Sequence, residues 1–194
     1  MKDLFVNISK VSKLKPKKGC FLLAEPFMND DHFSRAVIYL CEHNHEGSYG
    51  FILNNKLELT LDQIIPDKDL PNLDVSYGGP VHASNLFFIH KYGELINESV
   101  EIDQDLWTGG DFEQTIELIK IGAISTDKIR FFLGYSGWST NQLNEEIKTN
   151  SWIVTNNKYK KLFNYNKDLW KDILTEKGGN YKAISNFPLN PIDN

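Results

Sequence analysis

The sequence predicts an α+β fold that is built mainly from strands, with helices inserted between them. Apolar residues fall in runs of five or fewer, such as residues 21–24 and 37–41, and Gly, Pro, Asn and Asp separate these runs. That pattern is typical of short buried strands. Residues 111–121 and 169–174 instead repeat apolar residues at three- and four-residue spacing, as one face of a helix requires.

The apolar runs predict seven strands. Residues 35–43 are almost continuously apolar, which indicates a strand covered on both faces. Residues 44–48, with Gly47, form the hairpin loop to the next strand. Residues 134–138, with two glycines, are predicted to be a loop. The predicted strands are residues 19–24, 35–43, 49–54, 75–77, 86–90, 128–133 and 152–154.

Capping residues and apolar spacing predict four helices. Thr60 and Gln63 match a capping box that begins a short helix, and Pro66 ends it. Asp111 is the expected N-cap of a helix that Gly122 closes. The others are residues 141–148 and a helix with Leu169, Trp170, Ile173 and Leu174 on one face, closed by Gly178.

Charge divides the chain of 194 residues, whose formal net charge is −5, into two parts. Residues 1–18 hold six lysines and one acid, +5, whereas the rest carries 15 basic and 25 acidic groups, −10. We predict a basic N-terminal arm, residues 1–18, and a single domain, residues 19–194. Nucleic-acid binding through the arm is one functional alternative. Direct DNA reading is not favoured, because arginine occurs only at positions 35 and 130.

The termini and the cysteines favour a cytoplasmic protein without membrane contact. The longest apolar run is far below the ~20 residues of a membrane-spanning helix. Residues 1–7 lack the apolar core of a secretory signal. Cys20 and Cys41 lie within apolar runs, so we predict two buried, reduced thiols.

Reactive side chains are densest at residues 41–45, Cys-Glu-His-Asn-His. On an extended strand Cys41, His43 and His45 would share one face and offer zinc three ligands, with Glu42 on the other face. No fourth ligand is evident and the turn begins near His43, so the sequence favours no metal and no cofactor. Cys41, Glu42, His43 and Asn54 are secondary candidates for a ligand site.

Residues 134–138, Gly-Tyr-Ser-Gly-Trp, are similar to the Gly-x-Ser-x-Gly elbow of hydrolases. The alternative function is therefore a hydrolase or transferase with Ser136 or Cys41 as nucleophile and His43 or His82 as base. Trp138 stands where the elbow needs glycine, and no helix starts directly after Ser136. A packing loop is the favoured interpretation, and no catalytic residue is assigned.

Residues 78–82, Gly-Gly-Pro-Val-His, suit either a ligand wall or a tight crossing of two strands, because two glycines permit close backbone approach. Four residues of strand, 50 to 54, span about 13 Å. His43 and Asn54 should thus lie at opposite ends of one hairpin. The sequence predicts two clefts, or one site and one packing corner.

The sequence resembles the AlgH/YqgE family of bacteria, whose N-terminal signature is similar to residues 35–43, Gly47 and residues 50–54. The Asn-Phe-Pro of residues 186–188 resembles Bacteroidetes members of that family. Residues 78–81 and 133–138 match its other blocks, with Gln142, Leu143 and Glu146. The resemblance implies a mostly antiparallel, bifurcated sheet curled into a pseudo-barrel. It brings no catalytic residues, and the family is often labelled a transcriptional regulator.

We therefore expect a non-enzymatic binding or regulatory protein whose partner is an unknown protein or small ligand. No helix-turn-helix motif is visible, so indirect regulation fits better than DNA reading. The predicted contact surface joins two segments, residues 78–82 and 134–138. Its residues are Gly78, Gly79, Pro80, His82, Tyr135, Ser136 and Trp138.

Overall fold

The computed structural model describes residues 14–156 and 162–187. The strands are β1 (Phe21–Ala24), β2 (Val37–His43), β3 (Gly47–Ile52), β4 (Lys56–Thr60), β5 (Asp74–Tyr77), β6 (Val81–His90), β7 (Val100–Asp103), β8 (Leu106–Thr108), β9 (Ile129–Ser139) and β10 (Trp152–Thr155). The helices are α1 (Leu61–Ile64), α2 (Phe112–Lys120), α3 (Gln142–Lys148), α4 (Leu169–Lys177) and α5 (Gly179–Ile184). Most of the predicted arm, residues 1–13, lies outside the described residues.

The strands form one sheet in the order β10-β1-β2-β3-β9-β6-β8-β7, with β4 and β5 on a side branch. Every described pair is antiparallel except β5 with β9. The path begins at β10 and ends at β7, so the sheet is open rather than closed. The predicted α+β class is confirmed. No helix in the described part of the chain is both long and apolar enough to cross a membrane.

Strand β9 is where the sheet divides. Residues 136–139 pair with β3, whereas residues 131–133 pair in parallel with β5. Strand β6 pairs along the other edge of β9, from Ile129 to Tyr135. One long strand thus belongs to both branches, and the bifurcation that the resemblance implied is present.

The prediction of a loop at residues 134–138 is wrong, because these residues continue β9. Of their two glycines, Gly134 serves a backbone crossing. A Cβ on Gly134 would lie 2.2 Å from the Gly79 carbonyl oxygen, and one on Gly78 would lie 2.2 Å from the Gly134 carbonyl oxygen. Real Cβ atoms never approach backbone so closely, so both positions require glycine. The backbone at Gly78 and Gly79 therefore crosses β9 tightly, which is one of the two arrangements that the sequence allowed.

Three strands and one helix were not predicted. β4 has largely exposed residues without clean alternation, and β7 and β8 have only four and three residues. Such short or solvent-facing strands owe their form to pairing partners rather than to their own pattern. An ion pair of Lys56 and Asp74, 2.7 Å apart, joins β4 to β5. Helix α5 falls where no helix was predicted.

The apolar strands and the two amphipathic helices are confirmed. β1 is completely buried, and alternate residues contribute to different core clusters on its two faces. The Asp111 carboxylate caps α2 by accepting the Gln114 N–H at 3.0 Å. Trp170 of α4 is buried and donates its indole N–H to the Ala24 carbonyl, 2.9 Å away. Helix α4 therefore packs on the sheet through the predicted face.

Arg130 is a buried cation at the branch point of the sheet. Its guanidinium donates to the Leu53 carbonyl at 2.6 Å, the Ser76 hydroxyl at 2.8 Å and the Leu162 carbonyl at 2.9 Å. It also lies 5.2 Å from the Phe132 ring centroid. Burial lowers the pKa of Arg130 to about 10, so the side chain stays charged at neutral pH. Because the three acceptors belong to separate segments of the chain, the Arg130 guanidinium joins those segments.

Candidate functional site

A groove of about 720 Å³ lies where the β2–β3 turn, β6 and the second half of β9 meet the segments around β7 and β8. Its volume is in the range of small-molecule sites. The lining residues are Glu42, Asn44, Glu46, Gly47, Ser48, Tyr49, Val81, Phe87, Glu98, Val100, Thr108, Gly109, Gly110, Tyr135, Gly137 and Trp138.

Three half-buried aromatic rings line the groove. The centroids of Phe87 and Tyr135 are 5.4 Å apart, with the ring planes at 78°. Tyr49 meets Tyr135 in the same edge-to-face manner, with centroids 5.8 Å apart and planes at 75°. Edge-to-face pairs are favourable beyond the area that they bury, so these rings form a stable apolar wall.

Gly137 lies beside this wall, where even a single added methyl group would be crowded. A Cβ built on Gly137 would lie 3.0 Å from the ring edge of Tyr135 and 3.5 Å from a methyl group of Val81. Both neighbours line the groove. A side chain at position 137 would therefore extend into the groove.

The structure brings only part of the predicted surface to this groove. Tyr135, Trp138 and the secondary candidate Glu42 line it. The exposed His82 lies near it, with its ring centroid 5.9 Å from that of Tyr135. Pro80 is exposed but does not line the groove.

Ser136 lies in the interior instead. Its hydroxyl donates to the Gly78 carbonyl at 3.1 Å, and the residue is completely buried in the middle of β9. The structure does not match a hydrolase elbow, since Ser136 lies within β9, which continues to Ser139, and not between strand and helix. In the described residues neither a histidine nor a carboxylate is bonded to it.

The Cys41 thiol also points into the core. It donates to the Tyr39 carbonyl at 3.7 Å, and burial raises the pKa of the thiol. Cys20 is likewise free and buried, which confirms two unpaired core thiols. Because Cys41 faces the core while His45 is exposed, the side chains considered for zinc do not converge. No group of three or more metal-binding side chains occurs within residues 14–156 and 162–187.

A histidine–serine contact occurs where the sequence analysis did not place one. His43 Nδ1 lies 2.7 Å from the Ser48 hydroxyl oxygen, and the two residues are directly opposite across β2 and β3. Ser48 lines the groove. The short loop between residues 43 and 47 fixes this register. The loop length in the sequence could therefore have predicted that His43 lies opposite Ser48.

Asn54 has a structural role at the other end of the hairpin. Its side-chain oxygen accepts the Val37 N–H at 2.8 Å, and its amide donates to the Arg35 carbonyl at 2.9 Å. The prediction that His43 and Asn54 are far apart on the hairpin is confirmed. A second cavity, of about 210 Å³, lies elsewhere, beside Tyr39 and Asp103.

Glu146 of α3 fixes the orientation of Trp138. One carboxylate oxygen accepts the indole N–H groups of Trp138 at 2.8 Å and of Trp152 at 2.7 Å. The two indoles meet edge to face, with centroids 5.7 Å apart. A single acid thus satisfies two donors that are themselves buried.

We expect Glu146→Ala to lower the free energy of unfolding by about 2 kcal/mol, since it leaves two buried indole N–H groups without an acceptor. Glu146→Gln keeps one acceptor oxygen and should cost less. The control is Glu145→Ala, which removes an exposed carboxylate paired with Lys148 and should cost under ~0.5 kcal/mol. Urea unfolding followed by tryptophan fluorescence measures all three, and equal effects at 145 and 146 would contradict the assignment.

The buried His90 contacts the backbone of one groove-lining residue. Its Nδ1 accepts the Tyr92 N–H at 3.1 Å, so the ring proton is on Nε2, which donates to the Gly109 carbonyl at 2.9 Å. Gly109 lines the groove. Burial lowers the pKa of His90.

This lowered pKa predicts a loss of stability in mild acid. The unfolded chain takes up a proton at His90 as the pH falls below ~6.5, whereas the folded chain resists it down to its lower pKa. The contribution of neutral His90 to the free energy of unfolding is therefore complete above pH ~6.5 and decreases below that pH. Urea midpoints at pH 7.5 and 5.5 should differ less in His90→Gln than in the parent, whereas His45→Gln, an exposed control, should behave as the parent. An unchanged difference in His90→Gln would refute this prediction.

The chain is an α+β protein with an open, bifurcated sheet and a groove beside the strand at which the sheet divides. The sequence model of the AlgH-like family, DUF179, matches residues 21–182. The chain therefore belongs to the AlgH-like family.

Relatives and solved structures agree with this assignment. A UPF0301 protein of Cytophaga hutchinsonii is 39% identical over 176 residues, which cover 90% of this chain and 97% of the relative. A UPF0301 protein of Parabacteroides distasonis is 37% identical over 98% of both chains.

The solution structure of AlgH from Pseudomonas aeruginosa is similar at a TM-score of 0.71, with 27% identity over 90% of this chain and 98% of that one. A crystal structure of protein DIP2367 from Corynebacterium diphtheriae has a TM-score of 0.74, with 21% identity over 92% and 96% of the two chains, and shares the fold.

Proposed function

We propose that this protein is a non-enzymatic binding protein that receives a small ligand in the groove beside Tyr135. The observation that carries the proposal is the groove itself. It has about 720 Å³ of space, an aromatic wall and a few polar groups at its edge, which is the usual composition of a ligand site. Part of the surface expected from the sequence, Tyr135 and Trp138, lies within it.

The geometry of the candidate nucleophiles supports binding rather than catalysis. Ser136 and Cys41 are buried and bonded to backbone carbonyls. The His43–Ser48 pair has the distance of a nucleophile and its base. In the described residues, however, no carboxylate side chain is bonded to the His43 ring to orient it.

A regulatory role would be indirect in this proposal, through the ligand or a protein partner in the cytoplasm. Acidic residues on the groove do not favour binding of nucleic-acid phosphates.

Binding of nucleic acid by residues 1–18 stays a prediction. Steep salt dependence that disappears on deletion of those residues would support it, and salt-independent or absent binding would exclude it.

The decisive measurement is a native mass spectrum of the untagged protein purified from the organism that makes it. We expect extra mass on the folded protein that disappears on denaturation. A bare mass in a preparation that was never exposed to denaturant would contradict a tightly held ligand.

Gly137→Ala tests whether that mass is bound in the groove. The added methyl group points between Tyr135 and Val81 and should lower ligand occupancy at least tenfold, because it takes space that the ligand needs. It should change stability by only about 1 kcal/mol, since the Tyr135 ring edge can move. Unchanged occupancy in a folded variant would place the ligand elsewhere.

The non-enzymatic part of the proposal has its own test. A fluorophosphonate reagent, which labels activated serines, should leave Ser48 unlabelled in the native protein. Labelling at Ser48 that His43→Ala removes would overturn the proposal in favour of a serine hydrolase or transferase.

A further inference from the structure

The groove carries side-chain charge of one sign only. Glu42, Glu46 and Glu98 line it, and no lysine, arginine or histidine does. Within the residues that the structure describes, none of these three acids forms an ion pair. Glu42 and Glu46 belong to the β2–β3 hairpin and Glu98 to the segment before β7, so acids from two parts of the fold line the groove. Each carboxylate can interact with a positive charge in a ligand.

The aromatic wall favours the same charge. Ring faces of tyrosine and phenylalanine carry a negative electrostatic potential and attract a cation within about 6 Å of the ring centroid. Tyr49, Phe87 and Tyr135 all line the groove and are only half-buried. Burial raises the pKa of the Tyr49 phenol, so that ring is uncharged across the physiological range.

The remaining lining is apolar or small. Val81 and Val100 contribute aliphatic surface, and Val100 is 53% exposed with nothing covering it in the described chain. Burial of such surface against an apolar group is favourable. The groove therefore suits a molecule with an apolar body as well as a charge.

We propose that the groove binds a small organic cation, an ammonium or guanidinium group attached to an apolar body. This inference rests on the proposed binding function and adds the chemical class of the ligand. The carboxylates supply the attraction at longer range, and the aromatic rings supply it on contact. A free small molecule is the occupant because the groove has the volume of a small-molecule site.

The test is an NMR titration of the full ¹⁵N-labelled chain with three probes that share a benzyl group. These are the cation benzyltrimethylammonium, the neutral benzyl alcohol and the anion phenylacetate. We expect the cation to shift the amide signals of Tyr49, Val81 and Gly137. The neutral probe should bind at least tenfold more weakly, and the anion should give no shifts at these positions. Added salt should weaken binding of the cation.

Charge-neutral variants identify the source of the selectivity. Glu46→Gln and Glu98→Gln change exposed side chains and should each weaken binding of the cation about two- to fivefold. Glu113→Gln, an exposed acid on α2 outside the groove, should leave it unchanged.

Other outcomes overturn the inference in distinguishable ways. Equal binding of all three probes in the groove would remove the charge selectivity but keep the binding function. Binding of a lysine- or arginine-containing peptide without binding of benzyltrimethylammonium would replace the small molecule by a protein partner. If no probe binds, the inference fails, whereas a native bound mass that Gly137→Ala removes would still support the proposed function.

Discussion

Gly134→Ala is expected to destabilise the native state severely. The new Cβ would lie 2.2 Å from the Gly79 carbonyl oxygen and 3.0 Å from the backbone of Ala83, and neither is a movable side chain. The residue also has φ +68°, which disfavours any residue with a Cβ. We expect a loss of at least ~4 kcal/mol, a large part of the 5–15 kcal/mol that keeps a typical domain folded.

The chain contains a matched control for this prediction. Gly122 has nearly the same backbone angle, φ +70°, but a Cβ there would meet nothing within 4 Å. Gly122→Ala therefore carries the conformational cost alone and should lose about 1 kcal/mol. Circular dichroism and urea unfolding of both variants separate the two contributions. Similar losses at 122 and 134 would show that the crossing with Gly79 is not tightly packed.

Arg130→Ala is expected to give the second large effect, a loss of about 3 kcal/mol. Removal of the guanidinium leaves the Leu53 carbonyl and the Ser76 hydroxyl without their donor in the interior. Bonds to a charged donor are stronger than neutral ones, and buried groups that lose a partner cost 1–3 kcal/mol each, roughly. Arg130 is only 5% exposed, so water cannot easily replace it.

Two further variants make the Arg130 prediction specific. Arg130→Lys keeps the charge but cannot reach all three acceptors with the same geometry, so its loss should be intermediate. Lys128→Ala, at an exposed position just before the same strand, should change the urea midpoint very little. If Arg130→Lys were as stable as the parent, the charge rather than the three bonds would be what matters.

Much of the fold was predictable because local pattern and tertiary role coincide in its centre. The alternation-free apolar runs of β1 and β2 became strands covered on both faces, and the Asp111 cap and the α4 face formed as predicted. The strands β4, β7 and β8 were missed because their sequences have no such pattern. Their conformation depends on the strands with which they pair. Gly134 makes a close backbone contact, and sequence alone does not distinguish a glycine required for such a contact from a glycine in a loop.

The site was predicted only in part for a related reason. Tyr135 and Trp138 lie on one strand with an unusual composition, so the sequence drew attention to them. Phe87, Glu46 and Glu98 were not predicted. Each lies on a different element, and the sequence around each of them contains no recognisable motif. The pairing of β3 and β6 with β9, of β8 with β6 and of β7 with β8 brings these elements together. The sequence could suggest candidate residues, but the shape and charge of the groove depend on tertiary contacts.

The strand order has a consequence for synthesis on the ribosome. β1 pairs with β2 on one edge and with β10 on the other, and Phe21 is matched with Thr155 near the far end of the chain. While the chain emerges, one edge of this wholly apolar strand has no native partner until residues 152–155 have been translated. Exposed apolar edges promote aggregation. Nascent chains stalled before Trp152 should therefore depend on chaperones far more than the released protein does.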